Sequence, residues 1–154
     1  MERRLFFLLN LAQRKLLRYA DATCRAETGL SVAQAALLFE LARDPRPQSE
    51  LVEALPVRKA AVTGLLARME ENGLVVRRRD PADGRAWLVE ATDAGRERLP
   101  KLRRLLKRFN RALQGDFNDE ELDTVIRFLN HIVTWTDQQE PSASRKEHRD
   151  AAHL

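Results

Sequence analysis

Residues 57–92, VRKAAVTGLLARMEENGLVVRRRDPADGRAWLVEAT, decide how the chain is read. Val62, Leu65, Leu66 and Met69 recur at helical spacing, which predicts a helix over 58–72 with one apolar face. Arg58, Lys59, Thr63, Gly64 and Arg68 lie largely off that face and form its outer surface. Gly73 then stops the helix, and the short run of Leu74 and the β-branched Val75 and Val76 opens a strand that continues into Arg77, Arg78 and Arg79. A turn at 80–84, DPADG, carries the Pro, Asp and Gly that tight turns use, and a second strand is expected over 85–91. A polar-faced helix followed at once by a basic hairpin is an arrangement suited to reading DNA.

Charge points the same way. Between Arg58 and Arg85 seven basic residues face four acidic ones, whereas the whole 154-residue chain has a net charge of only +4. A basic surface can neutralise phosphates and release counterions, although a solvated helix and hairpin with arginines guarding an edge would have the same composition. With 44% hydrophobic residues the chain can bury one core. No apolar run approaches the length of a membrane span, and the short run at 5–9 lacks the cleavage pattern of a secretory leader, so a cytoplasmic location is expected. The single cysteine, Cys24, excludes an intrachain disulfide framework, and the three histidines, His131, His148 and His153, offer no metal-ligand spacing. Neither a metal nor a cofactor is expected.

Upstream, 1–28 reads as a long helix whose stripe of Leu5, Leu8, Ala12, Leu16 and Tyr19 is widened by Phe6, Phe7, Leu9 and Leu17. A helix apolar on more than one face needs more than one neighbour, either within its own domain or in a second subunit. Gly29 ends it, Ser31 and Gln34 form a capping box for a helix reaching about Arg43, and the Asp-Pro-Arg-Pro run at 44–47 breaks it. A short helix at 50–55 precedes Pro56. Downstream, Thr92 is expected to cap a basic helix over 93–115, bent or interrupted at Pro100. Asn118 and Glu121 open a last helix with Leu122, Val125, Ile126, Leu129, Ile132 and Val133 directed inward. The polar stretch 138–154 reads as a disordered tail.

Taken in order, GLSVAQ (29–34), QSEL (48–51), VTGLLARMEENGLV (62–75), RRRDPADGRA (77–86) and ATDAGR (91–96) resemble the MarR family of winged helix-turn-helix transcription regulators over residues 5–137. The fold this implies is mainly α with a small β wing: a DNA-binding region at 30–92 and dimerisation helices at 1–28 and 93–137. The resemblance further implies a homodimer on double-stranded DNA at a pseudo-palindromic operator, most often as a repressor. The helix at 58–72 would enter the major groove, through Arg58, Lys59, Ala61, Thr63, Gly64 and Arg68. Arg77, Arg78 and Arg79 would lie along the wing, and Arg85, oriented by Asp80, would reach the minor groove. Two departures stand out: Pro47 replaces the usual Ser or Thr cap of the third helix, and Pro56 stands where Gly is usual.

Many such regulators respond to a small aromatic or phenolic anion, for which Arg14, Arg18, Tyr19, Phe39 and Trp87 are the candidate contacts here, although each reads more readily as structure: the arginines as surface charge, Tyr19 and Phe39 as core, Trp87 as wing packing. Two alternatives stay open: a winged-helix adaptor that binds protein, and a thiol-based redox regulator using Cys24, against which stands a buried, inert thiol. No catalytic constellation is present in the sequence, so an enzyme is not expected.

Overall fold

Local capping sets most of the helix boundaries. In the computed structural model, which describes residues 4–55 and 57–139, the elements run α1 (Leu5–Thr28), α2 (Val32–Glu40), β1 (Arg46–Pro47), α3 (Gln48–Ala54), α4 (Lys59–Glu71), β2 (Val75–Arg79), β3 (Trp87–Ala91), α5 (Asp93–Gln114) and α6 (Asp119–Gln139). Gly29 ends α1 in the left-handed conformation, φ 74°, which glycine adopts without a Cβ penalty. The Ser31–Gln34 capping box is formed in both directions, at 3.1 and 2.9 Å. Asn118 and Glu121 make the same reciprocal pair before α6, at 3.0 and 2.9 Å. Pro47 precedes α3 with no side-chain cap, as the departure from the family pattern implied. Pro56 and the tail from 140 onward lie outside the described residues.

The chain forms two compact units, Met1–Phe109 and Asn110–Leu154. Within the first, Leu37, Leu38, Leu41, Leu51, Val62, Leu66, Met69 and Val89 are essentially inaccessible, so α2, α3, α4 and β3 share one core. Asp21 of α1 reaches this assembly at the start of α2. Its carboxylate accepts the Val32 N–H at 2.9 Å and the Arg25 guanidinium at 2.7 Å. The Arg25 bond, followed by the Val32 bond, holds the Asp21 carboxyl below the ordinary aspartate range.

Three expectations are corrected. The Asp-Pro-Arg-Pro run does end a helix, at Glu40 instead of Arg43, but it also supplies β1, which pairs antiparallel with β3 (Arg46 with Val89, Pro47 with Leu88). The wing is therefore a three-stranded sheet, order β1-β3-β2, with Pro47 on an edge strand where its missing N–H costs no ladder bond. Pro100 does not interrupt α5, which is continuous from Asp93 to Gln114. In the second unit no residue of α6 is buried, so the residues expected inward do not reach a core, and Val125, Ile126, Leu129 and Val133 are exposed. α1 likewise leaves Leu5, Phe6, Phe7, Leu8 and Leu17 exposed and buries only Cys24 and Thr28.

The start of α5 is fitted to the turn after α4. Thr92 Oγ1 accepts the Gly95 N–H at 3.1 Å and donates to the Gly73 carbonyl at 2.6 Å, while the Thr92 N–H bonds the Leu74 carbonyl at 3.1 Å. Gly95 is buried here, and a Cβ on it would overlap the Leu74 carbonyl oxygen and sit 3.2 Å from Leu38 Cδ2. Gly95→Ala is expected to destabilise the protein by about 1–3 kcal/mol, because backbone and not a mobile side chain must yield. Urea unfolding measures this, and an unchanged midpoint would contradict the close packing described.

Candidate nucleic-acid interface

The apolar positions of α4 face the core: Val62, Leu65, Leu66 and Met69 are at most 4% exposed. Off that apolar face Arg58, Lys59, Ala61, Thr63 and Arg68 are exposed to solvent, and Gly64 is half-buried. Arg58 is the N-cap and Lys59 the first helical residue, so both cations stand where backbone N–H groups already favour an anion. The Arg68 Nη1 lies 3.5 Å from where a Cβ on Gly64 would be, so that glycine leaves room for the guanidinium along the helix. At the other end α4 stops in a Schellman turn. Gly73 adopts φ 68°, its N–H bonds the Glu70 carbonyl at 2.9 Å, and the Leu74 N–H bonds the Met69 carbonyl at 2.9 Å.

Strand alternation sorts the arginines that follow. β2 and β3 pair with Arg79 opposite Trp87, Arg77 opposite Val89 and Val75 opposite Ala91, which places all six on one face. Arg78 points the other way, where Glu90 lies at 3.5 Å and also binds Arg96 at 3.0 Å. Arg77 donates from Nε and Nη2 to Glu70 Oε2, at 2.9 and 2.6 Å. That bond lowers the Glu70 pKa from the ordinary glutamate value, against a smaller opposing effect of burial. The three arginines thus differ in how they are held, a difference that a count of basic residues does not reveal. Glu70 and Glu90 were not singled out from the sequence; their signal was the register of the hairpin, which pairs charges across the strands.

At the wing tip Asp80 and Asp83 have separate tasks. The Asp80 carboxylate accepts the Ala82 N–H at 2.8 Å, and its own N–H bonds the Ala86 carbonyl at 3.0 Å. Asp83 accepts the Arg85 N–H at 3.0 Å, and the Arg85 carbonyl takes a bond from Arg79 Nη1 at 3.1 Å. Among the described residues no ion pair joins Asp80 to Arg85, so the expected orientation of Arg85 by Asp80 is replaced by backbone bonds from Asp83 and Arg79. The Arg85 side chain is exposed at the tip.

The effector candidates do not converge. Arg14 and Arg18 line a groove of about 590 Å³ together with Asp21, Arg25, Ala61, Leu65 and Arg68, joining α1 to α4. Phe39 lines a separate apolar cavity of about 240 Å³ with Cys24, Leu102 and Phe109. Tyr19 stacks on Phe109 with ring centroids 6.0 Å apart, and Trp87 belongs to the wing. Cys24 is 4% exposed, with its Sγ 3.5 Å from Thr28 Oγ1. Among the described residues no cluster of His, Cys, Asp and Glu could hold a metal ion, and no helix is long and apolar enough to cross a membrane.

Asp80→Asn should leave the turn and duplex binding close to the wild type, because the amide oxygen still accepts the Ala82 N–H, whereas Asp80→Ala should weaken binding. Duplex titration of the two variants separates the roles: equal losses would restore a charge pairing with Arg85.

Residues 28–86 match a family model described as the MarR family. The HTH-type transcriptional regulator YdgJ of Bacillus subtilis is 36% identical over 110 residues, covering 68% of this chain and 67% of that protein. The crystal structure of MarR superposes with a TM-score of 0.70 at 28% identity, over 90% of this chain and 96% of that one. The transcriptional repressor CouR, solved on a 23-mer DNA duplex, gives a TM-score of 0.74 at 28% identity, over 84% and 92% of the respective chains.

Proposed function

The chain belongs to the MarR family of DNA-binding transcription regulators and is not an enzyme, and we propose that within this family it acts as a cytoplasmic, homodimeric repressor of a pseudo-palindromic operator. The observation that carries this reading is the division of α4, whose apolar face is buried while Arg58, Lys59, Thr63 and Arg68 are exposed beside a basic wing. The exposed face is cationic, which suits phosphate and base edges better than an apolar protein partner. That CouR was solved on a DNA duplex supports the same assignment. In this reading Arg58, Lys59, Ala61, Thr63, Gly64 and Arg68 face the major groove. Arg78 and Arg79 track the backbone, and Arg85 enters the minor groove, where width and potential are read.

The uncovered apolar residues support the dimeric reading. Leu5, Phe6, Phe7 and Leu8 on α1, and Val125, Ile126, Leu129 and Val133 on α6, are more surface hydrophobics than a stable monomer commonly exposes. A two-fold pairing of segments 1–28 and 93–137 would bury them and present a pair of α4 helices about 34 Å apart, one turn of DNA. Ile126→Arg, at a 54% exposed position, is expected to convert the dimer to monomer and to lower operator affinity at least tenfold. Sedimentation equilibrium reads the first effect, and a dimer that survives the substitution would place the interface elsewhere.

A small aromatic or phenolic anion is proposed to act in the groove of Arg14 and Arg18. Because Ala61, Leu65 and Arg68 line the same groove, an occupant would touch α4 itself. It would shift DNA binding by the difference in its affinity for the two states.

The deciding experiment is selection of bound duplexes from a random-sequence pool. An inverted repeat with half-sites about one turn apart is expected, with affinity falling steeply as salt rises. Arg85→Ala should cost about 1–3 kcal/mol on the recovered site with the fold intact. Salt-insensitive binding with no enriched sequence would favour a protein-binding adaptor instead.

A further inference from the structure

The face of the hairpin that carries Val75, Val89 and Ala91 packs on the core at its base and then continues outward with no core beneath it. β1 reaches β3 only at Leu88 and Val89, so beyond that point the wing is two strands, a structure of marginal stability by itself. On this outlying part of the face stand Arg77, Arg79 and Trp87. The Arg79 guanidinium carbon lies 4.1 Å from the centroid of the Trp87 ring and that of Arg77 5.9 Å from it, both within the range of cation–π attraction, with Arg79 the nearer. Trp87 is 41% exposed, too open to count as a core residue.

Each arginine is also tied at its other side. Arg77 is held by Glu70, the residue before the last of α4, and Arg79 donates to the carbonyl of Arg85 at the wing tip. Glu70, Arg77, Trp87, Arg79 and Arg85 therefore form an unbroken series of contacts from the end of the recognition helix to the tip of the wing. We propose that Trp87 is a positioning residue for DNA recognition: by seating Arg77 and Arg79 against its ring it fixes the attitude of the wing tip relative to α4. The proposal rests on the DNA-binding reading above and adds a task for a side chain that does not itself touch the duplex. The physical gain is preorganisation. Ordering the arginine side chains and the tip when the protein folds removes that entropic cost from the binding step.

The test compares Trp87→Leu, Trp87→Phe, Arg79→Gln and the Arg79→Gln/Trp87→Leu pair on duplexes recovered from the random pool, with Arg85→Ala as reference. Trp87→Leu keeps apolar bulk but removes the ring, and should weaken binding about fivefold, while Trp87→Phe should return it to within about twofold of the wild type. In the double variant the leucine should add much less than its own loss to that caused by Arg79→Gln, because Trp87 acts chiefly through that nearer guanidinium and only in part through Arg77. In the free protein the Arg79 side-chain protons should show an upfield ring-current shift that Trp87→Leu abolishes. Thermal melting of each variant checks that the fold is retained. The proposal is overturned if Trp87→Leu binds like the wild type, if Trp87→Phe loses as much as Trp87→Leu, or if the losses multiply in the double variant. If Arg85→Ala loses affinity while Trp87→Leu does not, the positioning role falls and the wing assignment stands. Wild-type protein that binds no duplex, or an Arg85→Ala variant that binds normally, overturns the underlying reading and this proposal with it.

Discussion

The carbonyls of Gly73 and Leu74 receive the Thr92 hydroxyl and the Thr92 N–H, and the Leu74 carbonyl leaves no space for a side chain on Gly95. At this junction α4 ends, the wing departs, the wing returns and α5 begins. Because the same backbone atoms serve all four, the exit and return of the hairpin are fixed together, and so is the direction in which the wing projects beside α4. Val75 opposite Ala91 closes the base of the hairpin one step further on, with both side chains buried. The attitude of the wing thus depends on two bonds from Thr92 to backbone carbonyls and on one missing methyl group.

From that fixed base the chain divides its positive charge into held and open groups. Arg77 is committed to Glu70, Arg78 has Glu90 within 3.5 Å, and Arg79 is shared between Trp87 and the Arg85 carbonyl. Arg58, Lys59 and Arg68 on α4, by contrast, stand on an open helix face, the first two at the N-terminus where the helix dipole adds to their field. Such pairs on exposed strands contribute little to stability, typically under about 1 kcal/mol each. Their effect is on the freedom of the side chains.

α1 is tied to the start of α2 through Asp21, whose carboxylate takes the Val32 N–H. The same helix is otherwise apolar and uncovered toward its beginning, where Phe6 and Phe7 pack edge to face with centroids 5.9 Å apart. One helix therefore carries a polar tie to the winged region near its end and an apolar surface near its start. The groove containing Arg14 and Arg18 includes that tie, since Asp21 and Val32 also line it, and it is lined by Arg68 of α4 as well. A change in the tilt of α1 would reshape the groove that α4 also lines.

Much of this was legible in residue order. Gly29, the Ser31–Gln34 and Asn118–Glu121 boxes, Gly73 and the 62–69 stripe identify helix ends and faces because capping and helical periodicity act within a turn or two of chain. The winged helix and its family follow from those signals and the DPADG turn. What the order of residues left open was settled by contacts between distant segments. Arg46 and Pro47 look like a helix break until β3 supplies them with a partner, and Asp80 and Asp83 look interchangeable until the turn assigns each its own N–H. The destinations of Arg77, Arg78 and Arg79 depend on strand register, where a shift of one residue would exchange the faces. Periodicity is a local property that a single chain segment displays, whereas register, close backbone approach and the covering of an apolar stripe exist only between segments, and tertiary structure alone decides them.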